Sequence, residues 1–186
     1  YPPYINIQDY IIAAKIKINL TDEHINQVKY SKKDCSQNNK IITYNKNTTQ
    51  AILFTSGTTG IPKACELTYN NFKHNAKLWN NIINFSEEDI YLNHMPLYHV
   101  SGLCIFFRAL YYNFTMVLEK YNLENYNEIL YIKKITLTSM IPTMLREIIY
   151  ENKNNSLYGL KAIIIGGSNI DDKLVKLSKN NKLPLL

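Results

Sequence analysis

From Gln50 onward, short apolar runs alternate with stretches of helical periodicity, and this alternation constrains the fold more than any other feature of the chain. The apolar runs that read as strands are residues 51–55, 91–93, 115–118, 135–138, 162–165 and Leu183 onward. Helical stretches are expected at residues 68–83, 102–112, 123–133, 142–150 and 171–178. In the first of these, Phe72, Ala76, Trp79 and Ile83 recur at the spacing of one helix face. Such alternation implies right-handed crossovers, hence an α/β fold with a mostly parallel, doubly wound sheet. Ligands of such sheets bind beyond the carboxyl ends of the strands, and the informative loops of this chain fall at those ends.

Residues 1–50 are less legible. Residues 11–20 alternate in a strand-like way around Lys15 and Lys17, Thr21 reads as a helix cap before Asp22 and Glu23, and residues 32–39 read as a polar loop. Tyr1 is not a methionine, and Leu183-Pro184-Leu185-Leu186 reads as a strand entering a core, so both ends are expected to be cuts. A hydrophobic content of 46% against 19% charged residues places the chain among globular proteins. No apolar run approaches the roughly 20 residues that span a bilayer, so no membrane span is expected. Cys35, Cys65 and Cys104 are odd in number and widely spaced, which argues against a disulfide framework or a zinc site and fits the cytoplasm. The net charge of +6 would allow anionic partners, but the lysines are scattered among repeated Asn pairs. Without a basic stripe interleaved with aromatics, no nucleic-acid partner is expected.

The chemistry concentrates in Thr55-Ser56-Gly57-Thr58-Thr59-Gly60-Ile61-Pro62-Lys63, at the end of the short apolar run 51–55, which reads as a buried strand. Glycines let consecutive N–H groups converge on an anion, hydroxyls add donors, and Lys63 adds a full charge beside the stiff Pro62. That set suits a triphosphate whose leaving group must be stabilised. It is not a Walker A loop, because Gly57 and Gly60 are too close together. A flexible Ser/Thr/Gly turn is the competing reading, weakened by the tether to a strand and the Pro-Lys ending.

The string Ile52-Leu53-Phe54 followed by that loop resembles the signature of the adenylate-forming superfamily, which holds acyl-CoA synthetases, peptide-synthetase adenylation domains and luciferases. It departs from the pattern at Ala64, where the family usually has glycine. A second block, Met95-Pro96-Leu97-Tyr98-His99-Val100-Ser101-Gly102-Leu103, resembles the family's P-L-[FY]-H-x-x-G segment, which lines the acid pocket. Peptide-synthetase adenylation domains usually lack this histidine, so the resemblance favours an acid–CoA ligase. Ile164-Ile165-Gly166-Gly167-Ser168 resembles the turn against which adenine lies, and Ile141-Pro142-Thr143-Met144-Leu145 a helix start with a packing role. His99 to Leu103, with Phe107-Arg108-Ala109-Leu110 and Phe114-Thr115-Met116-Val117, is most similar to the 2-succinylbenzoate–CoA ligase family of menaquinone biosynthesis. Other bulky-acid synthetases share much of this pattern.

The resemblance implies two steps: a carboxylate attacks the α-phosphate of ATP to give an acyl-adenylate and pyrophosphate, and the CoA thiol then displaces AMP. It implies catalytic roles for Lys63 and His99, with Thr55, Ser56, Gly57, Thr58, Thr59, Gly60 and Lys63 holding the β- and γ-phosphates. Gly166, Gly167 and Ser168 would meet the adenine, and His99, Ser101 and Gly102 the acid. Arg108 reads equally as a helix residue shaping the pocket or as a packing arginine. Mg2+ is implied with ATP and CoA, but its usual carboxylate ligand belongs to a Y-G-x-T-E block expected beyond Leu186, so no metal ligand is assigned. Residues 1–48 are then a poorly matched remnant of the N-terminal subdomain, and residues 49–186 an AMP-binding core subdomain carrying phosphate loop and acid pocket. The partners implied are a carboxylic acid, ATP, CoA and the remainder of the enzyme. A catalytically silent or split-gene fragment, another acyl-CoA synthetase, and a basic binding module stay open as alternatives.

Overall fold

The computed structural model describes residues 45–55, 63–151 and 156–186. The features expected at residues 11–20, at Thr21 and at residues 32–39 lie outside the described residues, as do Ser56, Gly57, Thr58, Thr59 and Gly60. The chain divides into two compact units, Tyr1–Asn70 and Asn71–Leu186.

In the first unit, β1 (Thr49–Thr55) and β2 (Lys63–Thr68) form an antiparallel two-stranded sheet. The register sets Thr55 opposite Lys63 and Phe54 opposite Ala64, with an irregularity between Thr49 and Ala51. The strand expected at residues 51–55 exists, but it is not the buried strand its apolar run suggested. Its residues alternate between half-buried and exposed, and Ile52 is 39% exposed. Among the described residues this ribbon has two strands, and a hairpin by itself does not bury both of its faces. Helix α1 (Tyr69–Ile83) follows β2 directly, and at its start Asn70 donates from its backbone to Lys46 O (3.1 Å) and from Nδ2 to Asn47 Oδ1 (2.7 Å).

The second unit is a four-stranded parallel sheet in the order β4-β3-β5-β6. Its strands are β3 (Ile90–Asn93), β4 (Thr115–Leu118), β5 (Leu137–Met140) and β6 (Ala162–Ile165). Helices α2 (Val100–Tyr112), α3 (Tyr126–Ile132), α4 (Pro142–Glu151) and α5 (Asp172–Asn180) connect or follow them. Leu185 pairs with Ile163 in a parallel bridge beside β6, so the run from Leu183 adds to the sheet as expected.

Strand side chains alternate between faces, and the core splits accordingly. Tyr91, Leu137, Ala162 and Ile164 face a cluster with Ile83 of α1 and with Ile105 and Ala109 of α2. Leu92, Met140 and Ile163 face the opposite cluster with Tyr126, Leu130, Leu145, Ile148 and Leu174 from α3, α4 and α5. Helices on both faces make the sheet doubly wound, and each fully buried aliphatic or aromatic side chain contributes about 1.5–3 kcal/mol. At the amino ends of the strands, buried Asp89 accepts bonds from Ser86 N (2.9 Å), Thr136 Oγ1 (2.9 Å) and Lys161 Nζ (2.8 Å). Lys161 also donates to Asn84 O (2.8 Å), so one carboxylate ties together the approaches to β3, β5 and β6.

Candidate functional site

The nine-residue loop of the sequence is the connection of a hairpin. Thr55 closes β1 and Lys63 opens β2, and the register makes them cross-strand neighbours at the loop's base. Both side chains are exposed. The two residues that flank the loop therefore lie side by side on the ribbon.

In the second unit, two of the loops that leave the sheet at its carboxyl edge carry the expected site residues. One follows β3 and runs from His94 to the start of α2, the other follows β6 and holds Gly166, Gly167 and Ser168. Because β3 and β6 are parallel and flank β5, both loops emerge on the same edge. That is the edge where open α/β sheets take ligands.

His99 is the N-cap residue of α2, extended in backbone (φ −101°, ψ 149°), and its side chain makes no capping bond. The ring is exposed and lies 5.3 Å from that of Tyr98, so it is presented outward from a fixed backbone. Ser101 is exposed one residue into the helix. Gly102 is buried, and the structure gives it a packing reason of its own. A Cβ there would lie 2.4 Å from Pro96 O and 2.5 Å from Met95 O, so only glycine lets the loop fold back on the helix.

On the other loop, Gly166 donates to Met140 O (3.1 Å), which binds the turn to the end of β5. Gly167 has φ +86°, a conformation that favours glycine, and a Cβ there would meet Ile141 Cγ2 at 2.9 Å. Ser168 is exposed beside it. The turn is thus a close backbone approach with open space outside Gly166.

Arg108 turns inward. It is 6% exposed, and Nε and Nη2 both donate to Asn75 Oδ1 (3.0 and 2.9 Å) while the guanidinium lies 4.9 Å from the Trp79 ring centre. Of its two sequence readings, the structure takes the packing arginine, locking α2 to α1. Burial lowers its pKa against opposing pulls from Tyr91 and Cys104.

Two residues that sequence reasoning passed over complete the edge. Asn93, the last residue of β3, is buried and bonded on both sides of its amide. His94 follows it on the opposite face, its ring 5.6 Å from that of Tyr121 and 5.8 Å from that of Tyr126. Both ring nitrogens of His94 are buried without a hydrogen-bond partner. Burial pulls its pKa down to about 4, and the Ser139 backbone opposes this without reaching hydrogen-bond geometry. The only advance signal was two polar residues closing an apolar run.

Among the described residues no group of three His, Cys, Asp or Glu side chains is placed to hold a metal ion. No helix among them is long and apolar enough to cross a membrane.

Comparison with known proteins gives the family. A family model described as AMP-binding enzyme matches residues 8–181. The 2-succinylbenzoate–CoA ligase of Staphylococcus aureus (strain MSSA476) is 30% identical over 143 residues, covering 76% of this chain and 29% of that protein. The O-succinylbenzoate Coenzyme A Synthetase (MenE) from Bacillus subtilis, solved with ATP and magnesium ion, superposes with a TM-score of 0.71 at 27% identity. That match covers 76% of this chain and 30% of the other. Escherichia coli MenE (R195K) with bound OSB-AMS matches with a TM-score of 0.66 at 29% identity, over 77% of this chain and 30% of that one. The chain spans less than a third of the length of these relatives.

Proposed function

Because the chain belongs to the AMP-binding enzyme family, we propose that it is the stretch of an adenylate-forming acid–CoA ligase that carries the phosphate loop and the acid pocket, with 2-succinylbenzoate as the acid. The observation that carries the reading is the pairing, on one carboxyl edge, of the His99 turn with the Gly166-Gly167-Ser168 turn. A presented imidazole and an open glycine turn on one edge suit an acid and a nucleotide that must meet. The relatives' names supply the acid, and menaquinone biosynthesis in the cytoplasm is the setting proposed with it.

In the first step a carboxylate oxygen forms a bond to the α-phosphorus of ATP, and the bond to the pyrophosphate oxygen breaks. Thr55, Ser56, Gly57, Thr58, Thr59, Gly60 and Lys63 hold the β- and γ-phosphates, so that the charge of the departing pyrophosphate is offset as it develops. Gly166, Gly167 and Ser168 receive the adenine along the exposed backbone. His99 orients the acid's carboxylate, and Ser101, two residues further on, meets the remainder of the acid. In the second step the CoA sulfur bonds to the acyl carbon and AMP leaves. No protein nucleophile is needed, so these residues act by position and charge. The described residues hold no ligand cluster for magnesium, and no step here is assigned to it.

The coverage of less than a third of the relatives favours a second element of the reading: this chain alone forms no thioester, and its partner is the remainder of the ligase. Two assays test both elements. Equilibrium dialysis with ATP should show binding that Lys63→Ala weakens about tenfold, the loss of one charge-assisted contact. Incubation with ATP, magnesium, CoA and 2-succinylbenzoate should yield no succinylbenzoyl-CoA. Equal nucleotide binding by both forms would point instead to a basic module without an adenylation role, and thioester formation would refute the partial-ligase reading.

A further inference from the structure

We infer that Asn93 is the positioning residue of the His99 turn: one buried amide fixes both ends of the loop that presents the imidazole. Asn93 is 1% exposed at the end of β3. Its Oδ1 accepts the Met95 N–H (3.0 Å), at the start of the turn, and its Nδ2 donates to Gly102 O (3.2 Å), in the first turn of α2. The same Nδ2 lies 3.6 Å from Met116 Sδ on β4, which fixes the amide from the neighbouring strand.

Between those two anchors the backbone closes on itself. His99 N donates to Pro96 O (3.0 Å), and Leu103 N donates to His99 O (3.0 Å). The missing Cβ of Gly102 then allows Pro96 O to sit against the helix. The His99 side chain makes no capping bond, so the place and direction of its Cα–Cβ bond rest on this backbone. A displacement of about 1 Å at a reacting group is costly to catalysis, so a buried amide that pins the turn acts on the site without touching substrate. Leucine at position 93 fills the space but leaves the Met95 N–H without an acceptor. Aspartate keeps the acceptor and, when protonated, can also donate to Gly102 O.

The functional consequence rests on the reading of this turn as the acid pocket, whereas the positioning itself does not. The test is NMR on the whole 186-residue chain with Asn93→Leu and Asn93→Asp. In Asn93→Leu the Met95 amide should exchange with solvent about tenfold faster and the His99 ring resonances should move, the effect of losing one buried hydrogen bond. The amides of Leu137 and Ile163 should keep their protection, and Asn93→Asp should restore most of that of Met95. Unchanged Met95 exchange and His99 resonances in folded Asn93→Leu would overturn the inference. If Asn93→Leu does not fold, the wild-type chain decides: the Asn93 side-chain amide protons must be protected, and exchange at solvent rates overturns the inference. Adding 2-succinylbenzoate separates the two levels. A wild-type His99 signal that ignores the acid defeats the acid-pocket reading and leaves the exchange result to judge Asn93. A response that Asn93→Leu weakens supports both.

Discussion

Replacing His94 by leucine should stabilise the protein, and by an amount that depends on pH. In the folded chain both ring nitrogens are buried and unpaired, and the imidazole pKa is held at about 4 against an ordinary 6.5. In the unfolded chain the ring regains water and titrates normally. Between those two values the unfolded state binds a proton that the folded state does not, so His94 draws stability down as pH falls from 6.5 toward 4, after which its effect levels off. The difference of protonation free energies gives a loss of about 2 kcal/mol between about pH 7 and about pH 5, rising to about 3 kcal/mol near pH 4. At neutral pH the leucine also removes two unsatisfied buried polar atoms, which cost about 1–3 kcal/mol each when left unpaired. Urea unfolding followed by the single tryptophan, Trp79, reads both quantities. The wild type should lose about 2 kcal/mol over that interval, whereas His94→Leu should start higher and lose less than half as much. A wild-type stability that is flat from about pH 7 to about pH 5, or a leucine variant with the same slope, would refute the burial argument.

Asp89→Ala should cost about 3–5 kcal/mol, because Ser86 N–H, the Thr136 hydroxyl and the Lys161 ammonium all lose a buried acceptor. Lys161→Met should cost less, since its side chain is 36% exposed, and the same urea assay ranks the two. Burial alone would raise the Asp89 pKa, but the bonds from Lys161, Ser86 and Thr136 outweigh it and hold the pKa below 3.8. Its contribution is therefore complete above the unfolded value and disappears as pH falls through the folded one, an acid limb that Asp89→Asn should remove. Gly167→Ala should cost about 1–2 kcal/mol by forcing a side chain into positive φ against Ile141, read as a lowered melting temperature. Leu137→Ala, at a fully buried position in the middle of the sheet, should cost about 2–5 kcal/mol in the same melt.

The strands at residues 115–118 and 162–165 were legible because each is a short apolar run whose ladder begins and ends with the run itself. The strand expected at residues 135–138 lies instead at Leu137–Met140. Lys134 at φ 51° turns the chain, and Ile135 N still bonds back to Leu130 O, so the apolar run starts while the chain is closing a helix. Helix α3 starts at Tyr126 rather than at residue 123, because Asn122 Oδ1 takes the Glu124 N–H and holds a turn there. Strand β2 gave no signal: Lys63-Ala64-Cys65-Glu66 is exposed on both faces and is a strand only because β1 lies beside it. Glycines of the site were readable as types, but the reason for Gly102 depends on where Met95 and Pro96 fold. Asp89 escaped notice because its partners Thr136 and Lys161 lie 47 and 72 residues away. No local pattern records a partner at that distance.

On the proposed function, a nucleotide sits on the carboxyl edge of the parallel sheet. A nitrogen-15 NMR titration of the chain with ATP tests this most directly. It should move the amides of Gly166, Gly167 and Ser168, with little change at Ser86 and Asp89 on the opposite edge. Shifts confined to that opposite edge, or none at saturating nucleotide, would contradict it.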